Sequence, residues 1–313
     1  MLARLQQFTT LGLIAAAVAW AAYFLRSGQP ASAWGGALLI LLGYALFLGV
    51  EFILLAFVHG DDPAPRANGA QLLRAWWGEV LSAPQVFCWR QPFRANAEPD
   101  HIGAELRGRR GVVFVHGFVC NRGLWNPWMA RLRVRGVPFI AVNLEPVFGS
   151  IDAYAGAIED AVRRIESSTG LAPVIVAHSM GGLAVRAWLN AFAADARVHR
   201  VITIGTPHHG TWLARFAFVP NAAQMRLGNG WLSRLAARET TPRHALFTCF
   251  YSHCDNIAFP PSTGTLRGAD NRHVSATAHV RMASTELVFN EVSRWVEAVD
   301  GESSAAPATM PAR

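Results

Sequence analysis

The 313-residue chain contains no lysine; all 28 of its basic side chains are arginine. That absence excludes a P-loop phosphate lysine, a lysine Schiff base and a Ser–Lys dyad. Charge is sparse, with 16% of residues charged against 52% hydrophobic, so a solvated disordered chain is excluded as well. The formal balance is +7, yet the arginines are scattered and no basic run reaches five residues. The footprint of nucleic-acid recognition is therefore missing, and anionic lipid headgroups are the more natural partner for this charge. The four cysteines form no C-x-x-C pair and have no histidines in metal-finger register, so no metal and no cofactor is expected. Cys249 and Cys254 are close enough in sequence for a disulfide, which a reducing cytoplasm would leave as two thiols. There is no internal repeat.

What the chain has in excess is apolar length at its front. Phe8 to Leu25 is eighteen residues without a charge, and Trp34 to Val58 is twenty-five residues with one, Glu51. A helix crossing the ~30 Å hydrocarbon layer needs ~20 apolar residues, so both runs qualify as spans, about 8–25 and 34–58. The polar stretch from Arg26 to Ala33, with Gly and Pro, reads as a turn, making residues 1–62 a two-helix transmembrane hairpin. The alternatives are a buried core helix or a signal peptide, but Ala31-Ser-Ala33 lies far beyond the first apolar run, and cleavage there would start the mature chain inside the second. Glu51, costly in a span, is expected to face the partner helix or the interface as a tolerated packing position. Arg4 and the amino terminus before the first span, and Arg66 and Arg74 after the second, each exceed Arg26 in the turn by about one charge, which favours both ends in the cytoplasm. Asp61, Asp62, Pro63 and Pro65 mark a linker, and the tail 301–313, rich in Ser, Ala and Pro, reads as disordered.

The rest of the chain, 63–300, is expected as one catalytic domain, in which from about residue 85 the pattern becomes short apolar runs separated by amphipathic stretches. Expected strands are Val86–Trp89, Gly111–Val115, Pro138–Asn143, Val174–Ala177, Val201–Ile204, Leu246–Tyr251 and His273–Ala278. Ile151–Ser167, Met180–Ala193 and Glu286–Val299 show helical spacing. Such alternation predicts an α/β fold: a mostly parallel sheet with helices on both faces, and reactive groups at the carboxyl ends of its strands.

Pro173 to Arg186 carries the chemistry. An apolar strand runs into Ala177-His178-Ser179-Met180-Gly181, and an apolar-periodic helix follows. This is a nucleophile elbow, in which a sharp turn lifts a serine hydroxyl clear of the sheet, with small residues two before and two after it. The chain here resembles the α/β-hydrolase superfamily, and within it the bacterial lipases and esterases, over roughly residues 111–299. Ala177 departs from the common pattern, which has Gly. Val113-Phe-Val-His-Gly-Phe118 resembles the oxyanion-loop segment of lipases, and the resemblance implies that the backbone N–H groups of Phe118 and Met180 hold the developing oxyanion. His116 is then a loop-shaping residue. Gly205-Thr-Pro-His-His-Gly-Thr211 also looks like the lipase pattern, with His208 and His209 expected in the cleft wall.

A serine nucleophile needs a base and an acid to orient that base, in the chain order Ser, acid, His. Asp255 follows the strand Leu246–Tyr251, in a segment resembling the family's acid loop. His279 follows the last expected strand, where the family carries its base. Asp270 and His273 precede that strand and are set aside. The stretch 211–243, with Trp212 and Phe216, is expected as a lid or acyl-pocket wall. Trp125, just after the oxyanion loop, adds apolar surface for substrate.

Together these features imply a membrane-anchored serine hydrolase of lipophilic carboxylic esters, a lipase or esterase of a bacterial inner membrane with its catalytic domain on the cytoplasmic side. Its partners would be the bilayer and a lipid or other lipophilic ester. The same triad would serve an acyltransferase, or a lipid-glycan deacylase like the glycosylphosphatidylinositol deacylases, which have similar segments. A hydrolase-fold module that only binds lipid or protein stays as a further alternative.

Overall fold

Short strands with apolar residues at every position are stable only when both faces are covered, and that is how this chain folds. A computed structural model describes residues 1–297; the expected disordered tail, 301–313, lies outside the described residues. Helices α1 (Leu2–Arg26), α2 (Pro30–Val58), α3 (Gly69–Pro84) and α4 (Gln91–Arg94) come first. Strand and helix then alternate through β1 (Val112–Val115), α5 (Asn126–Val134), β2 (Phe139–Ala141), α6 (Ala155–Thr169), β3 (Val174–His178), α7 (Met180–Phe192) and β4 (Arg200–Ile204). After β4 run α8 (Pro220–Gln224), α9 (Gly230–Ala236), α10 (Thr241–His244), β5 (Phe247–Tyr251), β6 (Asp270–His273), α11 (His279–Met282) and α12 (Glu286–Glu297).

The sheet order is β2-β1-β3-β4-β5-β6, parallel throughout. Because side chains alternate along a strand, Val113, Val115, Ile175 and Ala177 face one core with α6 and α7. Val112, Phe114, Val174 and Val176 face the other, with α5 and α12. Strand order reverses between β1 and β3, and the crevice at their carboxyl ends is the switch point where ligands bind in such sheets.

α1 and α2 form a hairpin through a turn in which the Gln29 amide donates to Phe24 O (2.9 Å) and the Trp20 indole to Ser32 O (2.9 Å). Large apolar side chains cover its outside, among them Leu11, Ile14 and Val18 on α1 and Leu38, Leu46 and Ile53 on α2. The helices are therefore not core helices, and both are long and apolar enough to cross a membrane. Both open ends rest on the sheet domain. Gln6 Nε2 donates to Gln91 Oε1 (2.7 Å), Gln7 Nε2 to Pro92 O (2.6 Å), and Asn256 Nδ2 to Glu51 Oε2 (2.6 Å). Glu51 is thus buried against the loop after β5 rather than against the partner helix. In the linker, Asp62 accepts from the Ser262 amide and hydroxyl.

Two expected strands differ. Val86–Trp89 lies in a π-helical stretch, Gln85–Arg90, that continues α3 into α4. A four-residue apolar run does not distinguish strand from helix. Pro84 has no N–H for the Val80 carbonyl four residues back, and the Tyr44 hydroxyl of α2 donates to that carbonyl instead (2.8 Å). The last strand is Asp270–His273, not His273–Ala278. It is a partly exposed edge strand, so it lacks the apolar pattern that marks the others. The four cysteines are free thiols; Cys249 and Cys254 sit in separate apolar clusters.

Candidate active site

Ser179 stands between β3 and α7 with φ +56° and ψ −131°, a conformation costly for a non-glycine residue and one that persists where surroundings enforce it. Here the Ser179 amide donates to Ile204 O (2.8 Å) and β3 is paired on both sides. A Cβ at Gly181 would lie 2.5 Å from His116 O and 2.7 Å from Val115 O, so the turn closes only with glycine there. Met180 is the first residue of α7; its amide has no intrahelical acceptor, and the positive end of the helix faces the serine. Phe118 lines the same cavity as Ser179.

His116 fixes the loop after β1. Its Nδ1–H donates to Gly117 O (2.9 Å) and its Nε2 accepts from the Leu144 amide (3.0 Å). Burial lowers its pKa to about 4, so it stays neutral in that tautomer.

Asp255 lies in the loop after β5, its Oδ1 accepting from the Ile257 and Ala258 amides (2.9 and 2.8 Å). His279 opens α11, and its Nδ1 lies 2.8 and 2.9 Å from the two Asp255 carboxylate oxygens. Neutral His279 therefore carries its proton on Nδ1, which leaves Nε2 as an acceptor. Burial alone would lower its pKa, but Asp255, helped by Glu79 and Glu51, more than offsets this and raises it. Gly205, at φ +57°, passes so close that a Cβ there would sit 2.8 Å from Asp255 Oδ2. His178 packs on the His279 ring and donates from Nε2 to His279 O (3.1 Å); burial, and then the neighbouring His279, hold its pKa at about 3.

The parallel sheet, the elbow and the Asp–His pair at its carboxyl edge coincide with a sequence match: the model of the Alpha/beta hydrolase family matches residues 112–306. The chain belongs to the α/β-hydrolase family. Among solved structures, this hydrolase is similar to the Bacillus licheniformis lipase BlEst2 in its mature form, with a TM-score of 0.54 and 18% identity over 60% of this chain and 92% of that one. Aspergillus fumigatus lipase B gives 0.54 and 19% over 63% of this chain and 55% of its own length. At these identities the likeness is one of fold. No curated protein sequence matches significantly.

Ser179 and His279 of this hydrolase line one cavity of about 440 Å³, with His178 and Asn256 beside them. Two carboxylates that the motifs did not single out for the site also reach it. Glu79 on α3 caps α11, accepting from the Val280 and Arg281 amides (2.9 and 3.0 Å). Glu51 holds Asn256, whose Oδ1 accepts from the His279 amide (3.2 Å). A lone carboxylate in a long apolar run was the available signal for Glu51; nothing in the sequence marked Glu79.

The residues expected to bind substrate lie elsewhere. Trp125 is fully buried, stacked on Phe114 (4.9 Å between ring centres) in the core beneath the sheet, because it opens the amphipathic helix α5. Trp212 stacks on Phe259, and Phe216 is solvent-exposed against Trp212; neither lines the cavity, nor does any residue of 211–243. His208 and His209 are likewise outside it, His208 being buried against Thr203 and Cys249. Among the described residues no His, Cys, Asp and Glu side chains group in a metal-holding cluster.

Proposed function

We propose that the protein is a membrane-anchored serine hydrolase of lipophilic carboxylic esters, with Ser179 as nucleophile, His279 as base and Asp255 as its orienting acid. The observation that carries the reading is one cavity shared by a strained Ser179 and a His279 whose Nδ1 is held by Asp255. Ser179 Oγ attacks the acyl carbon while His279 Nε2 takes its proton, and Asp255 stabilises the imidazolium that forms. Charge on the carbonyl oxygen falls to the amides of Phe118 and Met180, donors of a kind whose loss typically costs ~3 kcal/mol. Nε2 returns the proton to the departing alcohol, and water, deprotonated by the same nitrogen, releases the acid from the acyl-enzyme.

The apolar exterior of α1 and α2 supports a membrane-spanning hairpin. The arginines at its open ends support a catalytic domain on the cytoplasmic side. That both similar structures are named lipases accords with a lipophilic substrate.

The test is a fluorophosphonate probe on detergent-solubilised full-length protein beside Ser179→Ala, with the adduct mapped by mass spectrometry and ester turnover followed in parallel. The reading expects an adduct on Ser179 and turnover that the alanine variant loses. Folded protein that takes no adduct, with or without lipid, overturns it.

A further inference from the structure

We propose that the hairpin is a wall of the substrate site itself: the acyl chain lies against α1 and α2, and the ester reaches Ser179 sideways from the bilayer. This inference rests on the ester-hydrolase reading above.

The cavity that holds Ser179 and His279 at one end is bounded at the other by Leu13 of α1 and by Leu41, Tyr44, Phe47 and Leu48 of α2. Its volume, about 440 Å³, falls in the range of sites for small ligands. The acidic side chains along the wall are already committed. Both Glu79 oxygens accept from amides of α11, and Glu51 accepts from Asn256. The Tyr44 hydroxyl is committed to Val80 O, and the rest of the lining beyond the catalytic end is apolar side chains with the thiols of Cys88 and Cys120, which suits an acyl chain better than a polar ligand.

The wall runs along the membrane direction. From Glu51 to Leu41, α2 rises about 15 Å at ~1.5 Å per residue, which carries the cavity from the catalytic level into the apolar band of the hairpin. Leu13 and Leu41 are each nearly half exposed while lining the cavity, so the cavity opens between α1 and α2 at the exposed apolar surface of the hairpin. The hairpin is also held in place: the Trp76 indole donates to Ala45 O (2.9 Å) and Tyr44 to Val80 O (2.8 Å), fixing α2 to α3 on either side of the cavity.

The experiment uses full-length protein in phosphatidylcholine nanodiscs and compares kcat/KM for a palmitoyl and a butyryl ester. Leu13→Trp and Leu41→Trp fill the mouth, and the palmitoyl-to-butyryl ratio is expected to fall about tenfold or more, since each methylene excluded from an apolar pocket is worth at least about a factor of ten. Leu48→Ala enlarges the wall and is expected to raise the ratio, which keeps the test informative should a tryptophan variant fail to fold. Leu42→Trp and Leu46→Trp, exposed on the side of α2 opposite the cavity residues, are expected to leave it within about twofold. A ratio that stays put in the filled and enlarged variants overturns the proposal, as does an equal fall in the outer-face controls. Fluorophosphonate labelling of Ser179 separates the two readings. Intact labelling with an unmoved ratio sinks the acyl wall alone, whereas wild-type protein that neither labels nor turns over either ester sinks the hydrolase reading beneath it.

Discussion

The N-terminal hairpin and the stretch 211–243 are both rich in large apolar side chains, but they dispose of them in opposite ways. The stretch 211–243 turns Ala222, Met225, Trp231, Leu232 and Leu235 into the core beside α6 and α7. Polar bonds pin it there: Trp231 Nε1 to Asp152 (2.8 Å), Asn221 to Val147 O (2.8 Å), and a buried Arg186–Glu239 pair at 2.6 and 2.8 Å. The hairpin turns most of its apolar side chains outward, packs Phe52 and Leu55 against α3 and the loop after β5, and lines the cavity at Ser179 with Leu13, Leu41, Phe47 and Leu48. Apolar content alone does not identify a covering element; the polar contacts that fix each segment decide which one can reach the site.

The largest effect that sharpens this contrast is at the serine whose cavity the hairpin lines and the stretch 211–243 does not. Ser179→Ala is expected to lower kcat by about 10⁶-fold, and a residual rate far above that would remove the site from the comparison altogether. Glu239→Ala leaves Arg186 buried without its carboxylate and should cost about 3–5 kcal/mol in denaturant or thermal unfolding. If it instead alters chain-length preference at constant stability, the stretch 211–243 is acting as a lid after all.

Asn256→Ala cuts the bond between the hairpin and the His279 backbone, leaving Glu51 and an amide unpaired. A loss of about 1–3 kcal/mol is expected, with kcat falling as the histidine loses its seat. Unchanged stability and unchanged turnover would mean that the hairpin and the catalytic loop are uncoupled. Glu79→Gln bears on the pH profile. As the proposed base His279 acts only when neutral, so kcat/KM is expected to rise as pH climbs through its raised pKa. Removing a carboxylate that contributes to that rise moves the acid limb to lower pH; a limb that does not move, or moves upward, contradicts the arrangement. The smallest effect is at Phe216, where alanine should change stability and turnover by no more than about 0.5 kcal/mol.

The parts of the molecule that were legible in the sequence are those encoded locally. β3 and α7 flank Ser179 within nineteen consecutive residues, and strand, turn and helix each leave their own periodicity. Asp255 and His279 were placed by their position after strands, although the strand before His279 starts three and ends five residues earlier than its sequence suggested. What was not legible depends on contacts between distant segments. Leu41 and Leu48 look like any other leucine in a span, and only the packing of α2 against α3 and the β5 loop gives them a cavity to line. Glu79 sits in an ordinary amphipathic helix, and its role follows from lying beneath the first turn of α11, some 200 residues later. Trp125 was misplaced for the converse reason: its nearness to the oxyanion loop in sequence suggested the cleft, while the facing of α5 sends the ring into the core.

On the proposed route from the bilayer, a mouth framed by Leu13 and Leu41 would also set the kinetic variable of the reaction. Substrate arriving through it would be drawn from a two-dimensional solution, so the saturating quantity would be the ester's mole fraction among its neighbouring lipids and not its molarity in water. Diluting the ester with inert lipid at fixed bulk concentration would slow turnover, while diluting the whole suspension with buffer would not.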